Sequence, residues 1–371
     1  MNAVLEIDLD AVAANTRLLA ARATGELMAV VKADGFGHGA ADVARTALAH
    51  GATRLGVTGI GEALALRAEG VGAPILSWLN TLDADVSGAV RHRVELAVPS
   101  LEHLGTICRA PRPVPAAIHL HLDVGMARDG AAPAQWAALC RAAARAQRRG
   151  DVRVVGLMGH LGCADPDDLC TRQGRTRFAW ALEIARGAGL RPRHRHLAAT
   201  AATLTDPLAH HTMSRVGAGL VGIDPSGTTA LHAAATLRTS LVSVREVPAG
   251  TVVGYGHDHR TTRATRLGLV PLGYADGLPR AASDRASVVV AGHRCPVVGL
   301  ISMDQLVVDL GRREVSPGAP VTVFGTGERG EPTLTEWAAW SGTLPHEIVT
   351  GVGLRTARVV LPARHAYGVG A

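Results

Sequence analysis

The chain has a single lysine. Of its 38 Lys and Arg residues, Lys32 is the lysine and the other 37 are arginines. A guanidinium stays protonated in proteins, whereas a lysine amine can be desolvated, deprotonated and turned into a nucleophile. A lysine kept on a chain that otherwise uses arginine marks a position whose chemistry Arg cannot perform; the bland alternative is chance survival of a surface lysine. Tyrosine is almost as scarce, with Tyr255, Tyr274 and Tyr367. Tyr255 sits between two glycines in VGYGHDH, a setting better suited to presenting a hydroxyl than to packing a ring. Tyr274, in LGYADG, is open to both uses, since a buried Tyr with a satisfied hydroxyl is ordinary core material.

These residues need a scaffold, and 371 residues, 47% of them hydrophobic, suffice for a large domain and a smaller one. From about residue 26 to 230, short apolar runs alternate with helical patterns. The strands read as LMAVV (27–31), RLGVTGI (54–60), PILSWL (74–79), VELAVP (94–99), AAIHLHLDVG (116–125), VRVVGLMGHL (152–161), RHRHLAA (193–199) and MSRVGAGLVG (213–222). Helices are expected at 39–49, 61–69, 133–147 and 171–187. Alternation of this kind predicts an α/β fold with a parallel sheet, and eight units fit an N-terminal (β/α)8 TIM-like barrel. A doubly wound open sheet competes, but no G-x-G-x-x-G opens a helix after the first strand. After residue 231, Val-rich runs divided by Gly, Pro and Asp predict a C-terminal mostly-β domain with one short helix at 334–342. The boundaries are 1–231 for the barrel and 232–371 for the β-domain, with residues 1–10 available to pair with the latter. In a barrel the C-terminal ends of the strands form the active-site face, so Lys32, just past LMAVV, points into that mouth.

The formal net charge of +6 is spread without a basic stripe or interleaved aromatics, which argues against nucleic-acid binding. The first residues, MNAVLEIDLD, show no signal peptide, and no apolar run approaches the roughly 20 residues that span a bilayer. No membrane partner and a cytoplasmic location are expected. The five cysteines match no zinc or disulfide spacing, so free thiols in a reducing compartment and no metal are expected.

Several segments together resemble the alanine racemase family, a group of pyridoxal-phosphate (PLP) enzymes. VVKADGFGHG (30–39) resembles the signature V-K-A-N-A-Y-G-H-G around the PLP lysine, and HLDVGMARDG (121–130) resembles D-T-G-M-x-R-x-G. GLMGHLGCAD (156–165), HLAATAATL (196–204) and SRVGAGLVGIDPS (214–226) resemble three further family segments. VGYGHDHRT, VPLGYADGLPR and GLISMDQ follow in the family's order, so the match covers almost the whole chain. The resemblance implies a PLP-dependent racemase, an isomerase that interconverts L- and D-alanine for D-alanine biosynthesis. It implies a homodimer whose active sites combine the barrel of one subunit with the β-domain of the other. Lys32 would hold PLP and act as the base on the D-substrate face, with Tyr255, from the other subunit, as the base on the L face. Racemisation removes a proton from one side of Cα and returns one to the other, so two opposed bases make chemical sense.

The resemblance assigns further roles. Arg215 would contact the pyridine nitrogen and keep it unprotonated, giving a weaker electron sink. His160 would pack beside the ring and support Arg215, unless it is a satisfied core histidine. The phosphate would meet the Thr200 hydroxyl and the backbone N–H groups of Gly217 and Ala218. Arg128 would neighbour the phenolic oxygen and the substrate carboxylate, unless it is a plain loop arginine. Met303 and Tyr274 would shape the substrate end. Asp165 and Arg280 match charged residues of the family's entrance corridor, where a surface role serves equally.

The chain departs from the pattern in places. Phe36 and Leu354 stand where tyrosines would donate to the phosphate; each lost donor to a charged acceptor costs about 1.5–3 kcal/mol, so looser PLP retention is expected. Thr200 replaces Ser, Ala199 replaces Asn, and Leu300 replaces an entrance Arg. His121 replaces a lysine that is carbamylated in many members, leaving Arg128 to be oriented by Asp123 or an anion. The alternatives are a racemase for another amino acid in a biosynthetic pathway, a PLP decarboxylase or lyase, and a non-catalytic homologue on the same fold.

Overall fold

The computed structural model describes residues 3–163 and 168–362. Asp165 and Tyr367 therefore lie outside the described residues. The chain divides into two compact units: Val12–Gly35 with Ala40–Leu231, and Met1–Ala11 with Phe36–Gly39 and His232–Ala371. Among the described residues no helix is long and apolar enough to cross a membrane.

Strands are numbered in chain order, and β1 (Val4–Ile7) belongs to the second unit. The first unit holds β2 (Glu26–Val30), β3 (Arg54–Val57), β4 (Ile75–Ser77), β5 (Val94–Val98), β6 (Ala116–His121), β7 (Val152–Met158), β8 (His194–His196) and β9 (Met213–Val216). They form one parallel sheet in the order β8-β7-β6-β5-β4-β3-β2-β9. The pairing of β2 with β9 sets Met28 opposite Arg215. Thr212 N donates to Arg195 O and Arg215 N to Ala198 O, so β9 is also stitched to β8 and its following turn, and the barrel closes. All eight expected strands are present, most shorter than their apolar runs, because the C-terminal ends of those runs become the turns of the mouth.

Both faces of such a sheet are covered, which explains the near-continuous apolar runs. Met28, Leu76, Ala97, Met158 and Met213 form a buried cluster with Trp78 packed against it. The room for it is made by a glycine: a Cβ at Gly56 would lie 2.6 Å from the Trp78 ring. The expected helices appear as Ala40–Ala49, Ile60–Ala68, Pro133–Arg149 and Leu169–Gly187. Pro133 opens the third at its first turn and Gly150, with φ +81°, ends it. Helices at Leu9–Arg22, Val86–Arg91 and Leu101–Arg109 complete the crossovers; sequence periodicity did not disclose them.

In the second unit β1 pairs antiparallel with β10 (Ala235–Ser240). Next in the chain come β11 (Ser243–Val247), β12 (Val252–Val253), β13 (His259–Arg260), β14 (Thr265–Val270) and β15 (Ser287–Val290). They are followed by β16 (His293–Pro296), β17 (Leu306–Gly311), β18 (Pro320–Phe324) and β19 (Ala357–Val360). The strands make a six-stranded sheet (β16-β15-β18-β10-β1-β19), a three-stranded sheet (β11-β14-β17) and a hairpin (β12-β13). The short helix is Leu334–Ser341, opened by a reciprocal cap between Thr333 and Glu336.

The expectation of five free cysteines is corrected. Cys163 and Cys170 are joined in a disulfide, with Cα atoms 6.2 Å apart, and the free cysteines are Cys108, Cys140 and Cys295. A seven-residue separation fits no framework spacing; the fold pairs the two by bringing the turn after β7 back to the start of Leu169–Gly187.

Candidate active site

Lys32 leaves β2 at the barrel mouth, half-buried, and opens a short helical turn, Lys32–Gly37. The turn is left-handed: φ is +51° at Ala33, +53° at Asp34, +62° at Gly35, +58° at Phe36 and +81° at Gly37. Each non-Gly residue held this way costs roughly 1–2 kcal/mol, so the segment persists only because its surroundings over-determine it. Gly35 N donates to Val31 O, and Asp34 Oδ1 accepts from Ala40 N. Glu62 is the main brace. Its Oε1 accepts from Ala33 N at 2.7 Å, and its Oε2 from Thr58 N at 2.7 Å and Gly59 N at 3.3 Å. Sequence reasoning expected a Gly-rich turn here and missed both its handedness and Glu62. Burial holds the Lys32 amine below its usual pKa; the positive charge of Arg128 adds to this, and Glu62 opposes it. An amine so placed is a better nucleophile near neutral pH.

Arg215 is buried at the end of β9. Its Nη1 donates to His196 O at 2.8 Å and sits 2.9 Å from His196 Nδ1. Its Nη2 donates to Gly159 O at 2.7 Å and Leu197 O at 3.3 Å, and meets His160 Nδ1 at 3.3 Å. Burial lowers its pKa to about 10, which leaves it charged at neutral pH. His160 is pushed down to about 3 by burial and by Arg215, so its ring is neutral and its Nδ1 accepts. The two expected neighbours are thus in contact.

The Thr200 hydroxyl, also buried, accepts from Gly217 N and Gly219 N, each at 3.3 Å. Gly219 was not singled out from the sequence, yet it converges on the same oxygen as Gly217. A Cβ at Gly219 would lie 2.8 Å from Thr200 Cγ2, so glycine is what permits the approach. Ala218 begins the 3-10 turn Ala218–Val221 between those two amides.

Arg128 is exposed in the turn after β6. Asp123 shapes that turn through the backbone: its Oδ1 accepts from Gly125 N at 2.8 Å, Met126 N at 2.9 Å and Ala127 N at 3.2 Å. The buried His121 places its Nδ1 3.3 Å from Asp129 Oδ2. Asp123 therefore orients the loop that carries Arg128 rather than its guanidinium.

The remaining candidates belong to the second unit and are described within it. Tyr255 opens a 3-10 turn and is 66% exposed. Gly254, at φ +74°, sets the Tyr255 turn against Leu300, whose N would lie 3.2 Å from a Cβ there. Tyr274 and Met303 are exposed neighbours: Tyr274 N donates to Ser302 O and Ala275 N to Met303 O. A Cβ at Gly273 would sit 2.2 Å from Ser302 O, so this seat too requires glycine. Tyr274 is surface rather than core. Arg280 donates Nη1 to Ile301 O. Phe36 is buried against His346, with ring centroids 6.1 Å apart, and Leu354 is 97% exposed.

The barrel mouth has the donor set that PLP requires: an amine with lowered pKa, a buried guanidinium, and a hydroxyl flanked by two amides. The second of those amides reaches the hydroxyl because residue 219 is a glycine, a Cβ there falling 2.8 Å from Thr200 Cγ2.

Residues 7–225 match the model of the alanine racemase N-terminal domain and residues 234–360 that of the C-terminal domain. The chain is 46% identical over 374 residues to the alanine racemase of Streptomyces coelicolor, covering 97% of this chain and 96% of that one. It is 45% identical over 360 residues to that of Thermobifida fusca, covering 95% and 96%. The alanine racemase structure from D-cycloserine-producing Streptomyces lavendulae superposes with a TM-score of 0.95 at 42% identity over 98% of each chain. That of the Bartonella henselae alanine racemase, which contains covalently bound pyridoxal phosphate, gives 0.87 at 25% identity, over 97% of this chain and 100% of that one. With both domain models matched in order and relatives similar from end to end, the chain belongs to the alanine racemase family.

Proposed function

We propose that this chain is a PLP-dependent racemase that interconverts L- and D-alanine, with Lys32 and Tyr255 as the two proton-transferring groups. The observation that carries the reading is the setting of Lys32: the chain's one lysine, half-buried at the barrel mouth with its pKa lowered, one strand away from a buried arginine. PLP, when bound, supplies the electron sink that makes the substrate Cα–H acidic. Lys32 Nζ then takes or returns the proton on one face of Cα and Tyr255 Oη on the other. Thr200, Gly217, Gly219 and Ala218 would hold the phosphate, Arg215 would face the pyridine nitrogen, and His160 keeps Arg215 in place. Because Arg215 remains a cation, a nitrogen facing it would stay unprotonated. Arg128 engages the substrate carboxylate, and Tyr274 and Met303 bound the substrate.

Tyr255, Tyr274 and Met303 are all exposed, and the turns that carry the two tyrosines both pack against the segment 299–303, an arrangement suited to completing a site on another copy. On this reading two copies associate, and each site takes Lys32 from one protomer and Tyr255 from the other. The enzyme works in the cytoplasm and supplies D-alanine. The test is incubation of the PLP-supplemented protein in D2O with a panel of L- and D-amino acids, read by loss of each Cα–H signal and by chiral analysis. Exchange and inversion of alanine from both enantiomers is expected. Exchange confined to another amino acid would overturn the substrate, and no exchange at all would overturn the racemase.

A further inference from the structure

Behind Arg215 the barrel encloses a line of polar side chains that the catalytic reading does not use. His196 and His119 are fully buried, and Glu95 and Arg54 are nearly so. His196 Nε2 lies 2.8 Å from His119 Nδ1, and His119 Nε2 lies 2.8 Å from Glu95 Oε2. The same Glu95 oxygen receives Arg54 Nη2. His194 stacks on His119 with ring centroids 6.0 Å apart and faces Glu26 at 3.8 Å. The line thus runs from Arg215 on β9 through β8 and β6 to β5, with Arg54 reaching in from β3.

The two ends dictate the hydrogens between them. A guanidinium has only donors, so His196 Nδ1 accepts from Arg215 and the neutral ring carries its proton on Nε2. That proton is donated to His119 Nδ1, which places the His119 proton on Nε2. A carboxylate has only acceptors, so Glu95 receives it. No other assignment of neutral rings satisfies every contact, and a proton on either Nδ1 would face another donor. A buried ion pair such as Arg54–Glu95 is seldom a gain in stability over apolar packing, so its presence here suggests a role other than stability. Space is reserved for the line as well: a Cβ at Gly156 would fall 1.9 Å from His119 Nδ1.

We propose that Glu95 and His119 are positioning residues for Arg215, acting through a one-way hydrogen-bond relay that fixes His119 and His196 as neutral Nε2–H tautomers. Glu95 anchors the relay with its negative charge, and the relay holds Arg215 Nη1 in a single orientation. The proposal rests on the reading that Arg215 faces the cofactor's ring nitrogen, but the relay itself is a property of the protein without cofactor.

The test is therefore made first without PLP. Long-range 1H–15N correlation spectra of the histidine-labelled protein, assigned with single His→Gln variants, report which ring nitrogen is protonated. Nε2–H on both His119 and His196 at neutral pH is expected; Nδ1–H or a doubly protonated ring on either would overturn the relay. His119→Gln keeps an acceptor and a donor on the two arms of its amide, whereas His119→Leu removes both. His119→Leu is expected to lower kcat about tenfold, the effect of one lost hydrogen bond of ordinary strength, and to move the bound cofactor's absorbance. His119→Gln is expected to recover most of that loss. Equal kcat and unchanged absorbance in the Leu variant would overturn the proposal, as would a Gln variant no better than Leu. Should His119→Leu fail to fold, the tautomers of the native chain decide. Failure of the racemase reading would appear instead as absent D2O exchange with the tautomers intact.

Discussion

Arg215 Nη2 lies 3.3 Å from His160 Nδ1, a contact that exists only while the histidine is neutral. The same holds along the barrel core. His160 is held near pKa 3 and His194 near 4, each chiefly by burial, and burial also lowers His119 and His196. Glu95 is held at about 2, its own burial being outweighed by hydrogen bonds from His119 and Arg54 and by the positive charge of Arg54.

Acid should therefore unfold this protein early. The unfolded chain protonates these histidines near pH 6.5 while the folded chain resists, so below that pH the unfolded state binds more protons. Each such histidine steepens the loss of stability by up to about 1.4 kcal/mol per pH unit until its folded pKa is reached. Glu95 contributes in the same direction, its stabilisation being lost from pH 4.5 down towards 2. Urea midpoints should fall continuously from pH 6.5 to 4; a flat profile over that window would show the histidines to be protonated in the folded state.

Covalent capture of PLP should have a single address. Because the chain has one lysine, borohydride reduction of the PLP-loaded protein should fix the cofactor on the peptide carrying Lys32. Lys32→Arg should leave no fixed cofactor and reduce racemisation by several orders of magnitude. Mass spectrometry of the digest decides; label elsewhere would contradict the assignment.

The phosphate seat is testable by deletion. Thr200→Val removes the oxygen on which Gly217 N and Gly219 N converge, and Gly219→Ala places a methyl 2.8 Å from Thr200 Cγ2. Each should weaken PLP binding by about five- to one-hundred-fold, the range of one lost or unpaired hydrogen-bonding group, with kcat at saturating PLP changed less. Equilibrium dialysis gives the dissociation constants.

Thiol titration should distinguish the cysteines. Denatured without reductant, the protein should release three thiols to a colorimetric reagent, from Cys108, Cys140 and Cys295, and five after reduction. Five without reductant would show Cys163 and Cys170 to be unpaired.

The barrel was legible because parallel strands buried on both faces are written as separate apolar runs, such as LMAVV and VELAVP. Lys32 stood out through composition and Tyr255 through its flanking glycines. Other features had no local signature. The left-handed turn at Ala33–Gly37 contains Ala and Phe, which seldom take positive φ, and it is held by contacts, chief among them the brace by Glu62, that no local pattern announces. The line from Arg215 to Glu95 joins four separate strands, and its trace in the sequence is just the alternation of HLH and HRH on apolar strands. Phe36 read as a lost phosphate donor, whereas the structure shows what it does instead, packing on His346. The Cys163–Cys170 pair follows from the fold and matches no spacing rule.

If Lys32 and Tyr255 work on opposite faces of one carbon, Tyr255→Phe in D2O, supplied separately with L- and D-alanine, separates their two roles. This variant should lose inversion from both enantiomers yet still exchange the Cα–H of D-alanine, which Lys32 serves, while the Cα–H of L-alanine is retained. Inversion at the wild-type rate, or equal loss of exchange from both enantiomers, would contradict that division of roles.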